Sequence, residues 1–194
     1  MKHELEIEFK NLLTKEEYLQ LKDYHFSKSD SEFSQKNVYF DTAAFDLKQS
    51  KCALRIRLKD DQGELTLKTP FEGHHHETTI DFAPHKAEEM IAHGRFTLPS
   101  ELYEFLADKI GLVDQNVNKL AELTTVRYEK DYKDCLLVLD KSSYSNTTDY
   151  EIELESNSIE TGKEVFDSIL KAFAIPKRKT PNKIARAFAA QSEL

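Results

Sequence analysis

Apolar and charged residues alternate one by one along much of this chain. Leu5, Ile7 and Phe9 alternate with Glu4, Glu6, Glu8 and Lys10, and Leu54, Ile56 and Leu58 with Arg55, Arg57 and Lys59. Tyr150, Ile152 and Leu154 alternate with Glu151, Glu153 and Glu155. Residues two apart share a strand face, so the spacing predicts strands over 3–10, 34–42, 52–60, 64–70, 74–82, 120–132, 135–144 and 149–156. Asp61–Gly63 predicts a hairpin turn, Pro70 ends the strand after it, and residues 43–49 read as a turn or short helix. Thr14–Glu17 is a capping box that predicts a helix to about Tyr24. Two helices are expected over 85–110, broken near Thr97–Ser100. A second capping box at Thr161–Glu164 opens a helix to about Phe173, and Thr180 and Pro181 serve as N-cap and first turn of a last helix to about Gln191. Eight strands joined mostly by short turns make an α+β fold with a largely antiparallel sheet, and such a sheet can close into a barrel.

Nearly every strand is half apolar and half charged, which leaves two arrangements. Apolar faces can pack inward with charged faces in water, the common state of amphipathic strands. Alternatively the barrel keeps a polar, charged lumen and turns its apolar face outward, under the helices at 14–24, 85–110 and 161–173. The helices favour the second arrangement, because they need an apolar sheet face to pack on. The expected fold is therefore an eight-stranded antiparallel closed β-barrel, a tunnel, with a charged lumen and helices on its outer face.

The 194 residues, 39% hydrophobic and 32% charged, suit one domain over 1–194. A net charge of −8 disfavours nucleic acid and anionic membranes as partners. No apolar run reaches the length of a membrane span, and the start has no apolar leader segment. Cys52 and Cys135 are isolated, so reduced thiols in a cytoplasmic protein are expected.

The charge types add chemistry. Glu6, Glu8, Asp140, Glu151 and Glu153 offer oxygen ligands for a hard divalent cation. Lys10, Arg55, Arg57, Lys68 and Arg127 suit a polyanion, the arginines by two-pronged contacts to phosphate. Both banks on one kind of face fit a metal–polyphosphate complex. The three histidines 74–76 point different ways on a strand and read as a solvated loop, as does the charge run Lys177–Lys179.

These residues resemble the CYTH superfamily, the triphosphate tunnel metalloenzymes. Glu6, Glu8 and Lys10 match its opening Glu-x-Glu-x-Lys motif, and Arg55 and Arg57 its Arg-x-Arg strand. The following strands are similar through Lys68, Arg127, Asp140 and the Glu151–Glu153 pair, and "TPNKIARAF" resembles its C-terminal motif, giving Lys183 and, one turn later, Arg186. The chain departs from the pattern at Phe9, where the family often has arginine, and at His75 and Glu77 on the strand at 74–82. The resemblance implies a tunnel that hydrolyses a small-molecule triphosphate, inorganic tripolyphosphate or an organic triphosphate such as ATP or thiamine triphosphate, with Mg2+ or Mn2+. In this reading Glu6, Glu8, Asp140, Glu151 and Glu153 hold metal, and Glu8, Asp140 and Glu153 act catalytically. Lys10, Arg55, Arg57, Lys68, Arg127, Lys183 and Arg186 contact phosphate. Lys10 is expected to stay protonated, because its carboxylate neighbours raise its pKa. Nucleotide cyclisation, as in an adenylate cyclase, and non-catalytic polyphosphate or nucleotide binding are the alternatives.

Overall fold

A computed structural model describes residues 2–27, 30, 32–59 and 62–191. The strands are β1 (Lys2–Leu13), β2 (Glu32–Asp41), β3 (Ala53–Lys59), β4 (Gln62–Phe71), β5 (His74–Phe82), β6 (Arg95–Thr97), β7 (Asn116–Tyr132), β8 (Cys135–Tyr144) and β9 (Thr147–Ser156). The helices are α1 (Lys15–His25), α2 (Asp46–Gln49), α3 (Pro84–His93), α4 (Ser100–Ile110), α5 (Ile159–Ala172) and α6 (Lys183–Gln191). Hydrogen bonding runs β2-β3-β4-β5-β1-β9-β8-β7, and a β2–β7 pairing closes these eight strands into an antiparallel barrel. The ninth strand, β6, is an addition hydrogen-bonded to β7.

The chain divides into two compact units. One comprises the residues up to Glu4 with Lys36–Glu122; the other comprises Leu5–Gln35 with Leu123 onward. Each has its own core. In the first, Leu54 and Ile56 of β3 and Leu65 and Leu67 of β4 pack with Ala87 of α3 and Leu102 and Leu106 of α4. Gly63 is needed there, because a Cβ at that position would stand 2.6 Å from the Ala87 Cβ. In the second, Leu137, Leu139, Ile152 and Leu154 pack with Tyr18 and Leu21 of α1 and Phe166, Ile169 and Leu170 of α5. In both units the apolar strand face is the one that the helices cover.

The opposite face answers the question the alternation raised. Asp140 and Glu151 are 0% and 1% exposed. A solvated face would leave such side chains in water, so the charged face of β8 and β9 is an interior face. Phe9 lies on the other face of β1, against Phe166 and the flat surface of Gly162, where a Cβ would come within 2.6 Å of the ring. The departure at position 9 therefore alters helix packing and leaves the charged face alone.

Five local expectations are corrected, the first being that the histidines 74–76, read as a solvated loop, lie half-buried in β5, with His76 packed against Phe71. A strand, β6, interrupts the helical region 85–110; three residues are too few to show a period. Helix α5 starts earlier than the box at Thr161, because the Ser158 side chain accepts from the Thr161 N–H and caps it. Thr180 does not cap α6; its hydroxyl accepts from the Leu12 N–H at 3.0 Å and donates to the Arg178 carbonyl. Arg178, read as part of a solvated loop, is held by Glu17 through both of its terminal nitrogens. The α1 capping box forms as expected, with both of its arms. Asp61, expected to lead a hairpin turn, lies outside the described residues, and Gln62 and Gly63 open β4.

Candidate active site

Ladder register assembles the charged side chains of the second unit. Arg127 of β7 stands opposite Asp140 of β8, and Asp140 opposite Glu151 of β9. One step along, Glu153 stands opposite Lys10 of β1, and Glu155 opposite Glu8. Arg127 and Lys10 thus each face a carboxylate across the ladder, whereas Asp140–Glu151 and Glu8–Glu155 set like charges side by side and draw their cations from elsewhere.

The pairing is dense. Arg127 grips Asp140 with two parallel bonds, Nε to Oδ1 at 2.8 Å and Nη2 to Oδ2 at 2.7 Å, and also donates to Glu153 Oε2 at 2.8 Å. Helix α6 adds two more cations. The Lys183 ammonium hydrogen-bonds Glu153 Oε1 and lies 3.0 Å from Asp140 Oδ2 and 3.3 Å from Glu151 Oε2. Arg186 bonds Glu151 Oε2 through Nη2, and its Nε lies 2.8 Å from Asp149 Oδ2. Tyr144 donates to the same Asp149 oxygen at 2.6 Å. Lys10 donates to Glu8 Oε1 at 2.8 Å.

Burial and charge act against each other on these groups. Burial pushes the Glu153 carboxyl up, but the Lys183 ammonium and the Arg127 guanidinium outweigh it and hold the carboxyl well below the usual range. Burial dominates at Glu151, which is pushed up to about 7 in spite of Lys183 and with help from its neighbour Glu153. Burial pulls Lys10 and Lys183 down, and the surrounding carboxylates more than offset that, so both ammonium groups are raised. Lys10 therefore stays protonated, as expected of a residue that contacts anions.

The first unit carries a looser group. Arg55 stands opposite Thr66, Arg57 opposite Glu64, and Lys68 opposite Glu77. Lys68 pairs with Glu77 at 2.7 Å, Arg57 Nε donates to Asn37 at 3.2 Å, and Arg57 Nη1 is 3.9 Å from Glu64. The Arg55 Nε is buried and has no hydrogen-bond partner among the described residues. Burial pushes Glu77 up, but Lys68, Arg55 and Arg57 bring it below its usual value.

The structure thus gathers Lys10, Glu8, Arg127, Asp140, Glu151, Glu153, Lys183 and Arg186 in one unit, and Arg55, Arg57 and Lys68 in the other. Glu6 is half-buried on the face of β1 that carries Glu8, and Glu4 is exposed. Sequence reasoning passed over Asp149 and Tyr144. Asp149 sits two residues before Glu151, so strand parity alone carried the signal for it.

The carboxylates of this group bear on whether it can hold a divalent ion. Their oxygens are the ligands hard cations take, and Glu151 Oε1 is buried with no hydrogen-bond partner among the described residues. Among those residues no three His, Cys, Asp or Glu side chains converge as around a metal. The Lys183 ammonium stands where Asp140, Glu151 and Glu153 meet. The residues fit a hard cation in kind, and in this arrangement the chain meets their charge with its own ammonium.

A model of the CYTH domain family matches residues 4–188, across both units. A Bacillus subtilis protein provisionally named triphosphatase YjbK is 38% identical over 194 residues, covering 97% of this chain and 96% of that one. A crystal structure from Bacillus halodurans, of a protein provisionally named an adenylate cyclase, superposes with a TM-score of 0.87 at 35% identity. It covers 97% of this chain and 100% of its own. The Hippeastrum protein HpAC1, provisionally named an adenylyl cyclase and described as having a dominant triphosphatase activity, matches with a TM-score of 0.73 at 27% identity over 96% of each chain.

Proposed function

The chain belongs to the CYTH domain family, and we propose that it is a divalent-metal-dependent triphosphatase acting on inorganic tripolyphosphate or a small organic triphosphate. One observation carries the reading: Asp140, Glu151 and Glu153 are buried beside Arg127 on an interior strand face, with the half-buried Lys183 and Arg186 of α6 paired to them. Burying that much charge is costly, and a site built to handle a highly charged ligand accounts for it. The names of the relatives support the same class.

The roles follow from the chemistry of each group. Arg55, Arg57, Lys68 and Arg127 bind the phosphate chain, with arginine suited to two-pronged contacts. Lys10, kept protonated by Glu8 and Glu153, contacts phosphate and does not act as a base. Glu6, Glu8, Asp140, Glu151 and Glu153 would hold Mg2+ or Mn2+, which supplies charge neutralisation on the phosphate oxygens and polarises the phosphorus. Lys183 and Arg186, paired to the carboxylates that would hold such an ion, stand beside it and would contact phosphate from there.

In hydrolysis a water oxygen adds to the terminal phosphorus while the bridging oxygen leaves with the rest of the chain. Charge grows on that bridging oxygen, and Lys183, Arg186 and Arg127 neutralise it. Glu153, held ionised, suits cation holding. Among these carboxylates Asp140 and Glu153 are the candidates to take the water's proton, and Glu151 Oε1, with no hydrogen-bond partner among the described residues, is open to a ligand. Free, buried Cys52 and Cys135 accord with a reducing, cytoplasmic setting. No helix among the described residues is long and apolar enough to cross a membrane.

Phosphate release from tripolyphosphate, ATP and thiamine triphosphate tests this, with magnesium, with manganese and with chelator. Release that needs metal and disappears in Glu8→Ala and Arg57→Ala supports it. Binding of tripolyphosphate by calorimetry without release from any substrate would refute the enzyme. Pyrophosphate with cyclic AMP from ATP would make it a cyclase instead.

A further inference from the structure

We propose that Asn11, Glu17 and Arg178 are positioning residues: they strap the segment 176–180 to β1 and α1 and so fix where α6 presents Lys183 and Arg186. The inference rests on the triphosphatase reading only for its consequence in activity; the strap itself is geometric.

Six contacts make the strap. Arg178 donates through Nη1 and Nη2 to the two oxygens of Glu17, at 2.7 and 2.9 Å, and through Nη1 to the Leu12 carbonyl at 2.9 Å. Its backbone N–H donates to Asn11 Oδ1 at 2.6 Å, and Asn11 Nδ2 donates to the Pro176 carbonyl at 3.1 Å. The Leu12 N–H donates to Thr180. Asn11 is 1% exposed, between the apolar Phe9 and Leu13 on its side of β1, and its amide is shared between the Leu12 carbonyl, at 2.9 Å, and this segment.

The anchor points matter more than their number. Asn11 and Leu12 stand in register opposite Ile152 and Glu151. The ladder that sets the height of Glu151 therefore also sets the height of the strap. Lys183 follows Thr180 by three residues, a reach of at most about 11 Å, so little slack remains between the anchor and the carboxylates. Glu17 also accepts from the Thr14 N–H to cap α1, and one side chain thus ties the start of α1 to the approach to α6.

The test reads Lys183 directly. Metal-free protein is treated briefly with an acetylating reagent, and modification of Lys183 is measured by mass spectrometry against exposed Lys179. In Arg178→Ala, modification of Lys183 should rise about tenfold, the scale of losing one charge-assisted two-pronged contact. In Arg178→Lys, which keeps the charge but not the fork, it should rise by a smaller factor. Thr14→Ala removes the α1 cap without touching Arg178; it should lower the Tm and leave Lys183 protected. kcat/KM for tripolyphosphate should fall in step with Lys183 exposure across the series. Unchanged modification in folded Arg178→Ala, or an equal rise in Thr14→Ala, overturns the strap; if Arg178→Ala does not fold, Arg178→Lys decides by the same criterion. A rise in modification while the wild-type protein releases no phosphate keeps the strap and removes the triphosphatase.

Discussion

The two units treat the same kinds of charge differently. In the unit built on β8, β9 and α6, the Asp140, Glu151 and Glu153 side chains are 0%, 1% and 6% exposed, and each has a cation in contact. In the unit built on β3, β4 and β5, the Arg57, Glu64, Lys68 and Glu77 side chains are 20–28% exposed, and the Arg57–Glu64 contact is 3.9 Å long. A buried group must be neutralised by its own neighbours, because the loss of hydration is not otherwise offset. A half-exposed group keeps water as a partner and tolerates loose geometry. The first arrangement fixes positions, and the second leaves cations able to turn toward an incoming anion.

Breaking the tight group should have the largest effect. Arg127→Met strips Asp140 and Glu153 of a shared partner and should cost about 3–5 kcal/mol, read as a shift in the urea midpoint at unchanged slope. Next is Lys183→Met, which removes the α6 ammonium from three carboxylates. Hydrolysis should fall about 10²–10³-fold, as for loss of one preorganised transition-state contact, and magnesium should raise its Tm more than it raises that of the wild type.

The pH response separates the two carboxylates of β9. Glu151 is raised from 4.5 to about 7 by burial, so the folded form holds its proton more tightly than the unfolded form. Its contribution is complete below 4.5 and is lost as pH rises toward 7, amounting to about 3 kcal/mol. Glu153 is lowered, so its contribution is already present throughout that window. Glu151→Gln should therefore flatten the fall in stability between those pH values relative to wild type, measured by denaturation in a pH series. The smallest effect on stability falls in the loose group. Lys68→Ala should cost under about 1 kcal/mol yet raise KM for tripolyphosphate with kcat little changed, since it acts by binding.

Much of this was legible because a strand is periodic. Parity put Glu6, Glu8 and Lys10 on one face and Leu5, Ile7 and Phe9 on the other, and the helices that must cover an apolar face decided which one turned inward. Register supplied what parity could not: that Arg127 lies beside Asp140 and Asp140 beside Glu151 depends on pairings between strands, which no period along the chain encodes. The least legible feature was the contact of Arg178 with Glu17, 161 residues away in sequence. A basic run before a helix looks the same whether it is solvated or gripped. β6 was missed for want of length. The start of α5 was misplaced because two serine or threonine residues, Ser158 and Thr161, both fit the rule for an N-cap, and only the N–H each side chain faces distinguishes them.

The ammonium at the meeting point of Asp140, Glu151 and Glu153 bears on how the molecule is made and kept. Proteins whose ligands repel one another until an ion arrives fold only when loaded and fall apart under chelators. Here the chain brings its own counter-charge on α6. On the metal-dependent reading, newly synthesised protein should reach its native state in a cell short of metal and keep its Tm in EDTA, because folding would then draw on Lys183 and only turnover on the ion.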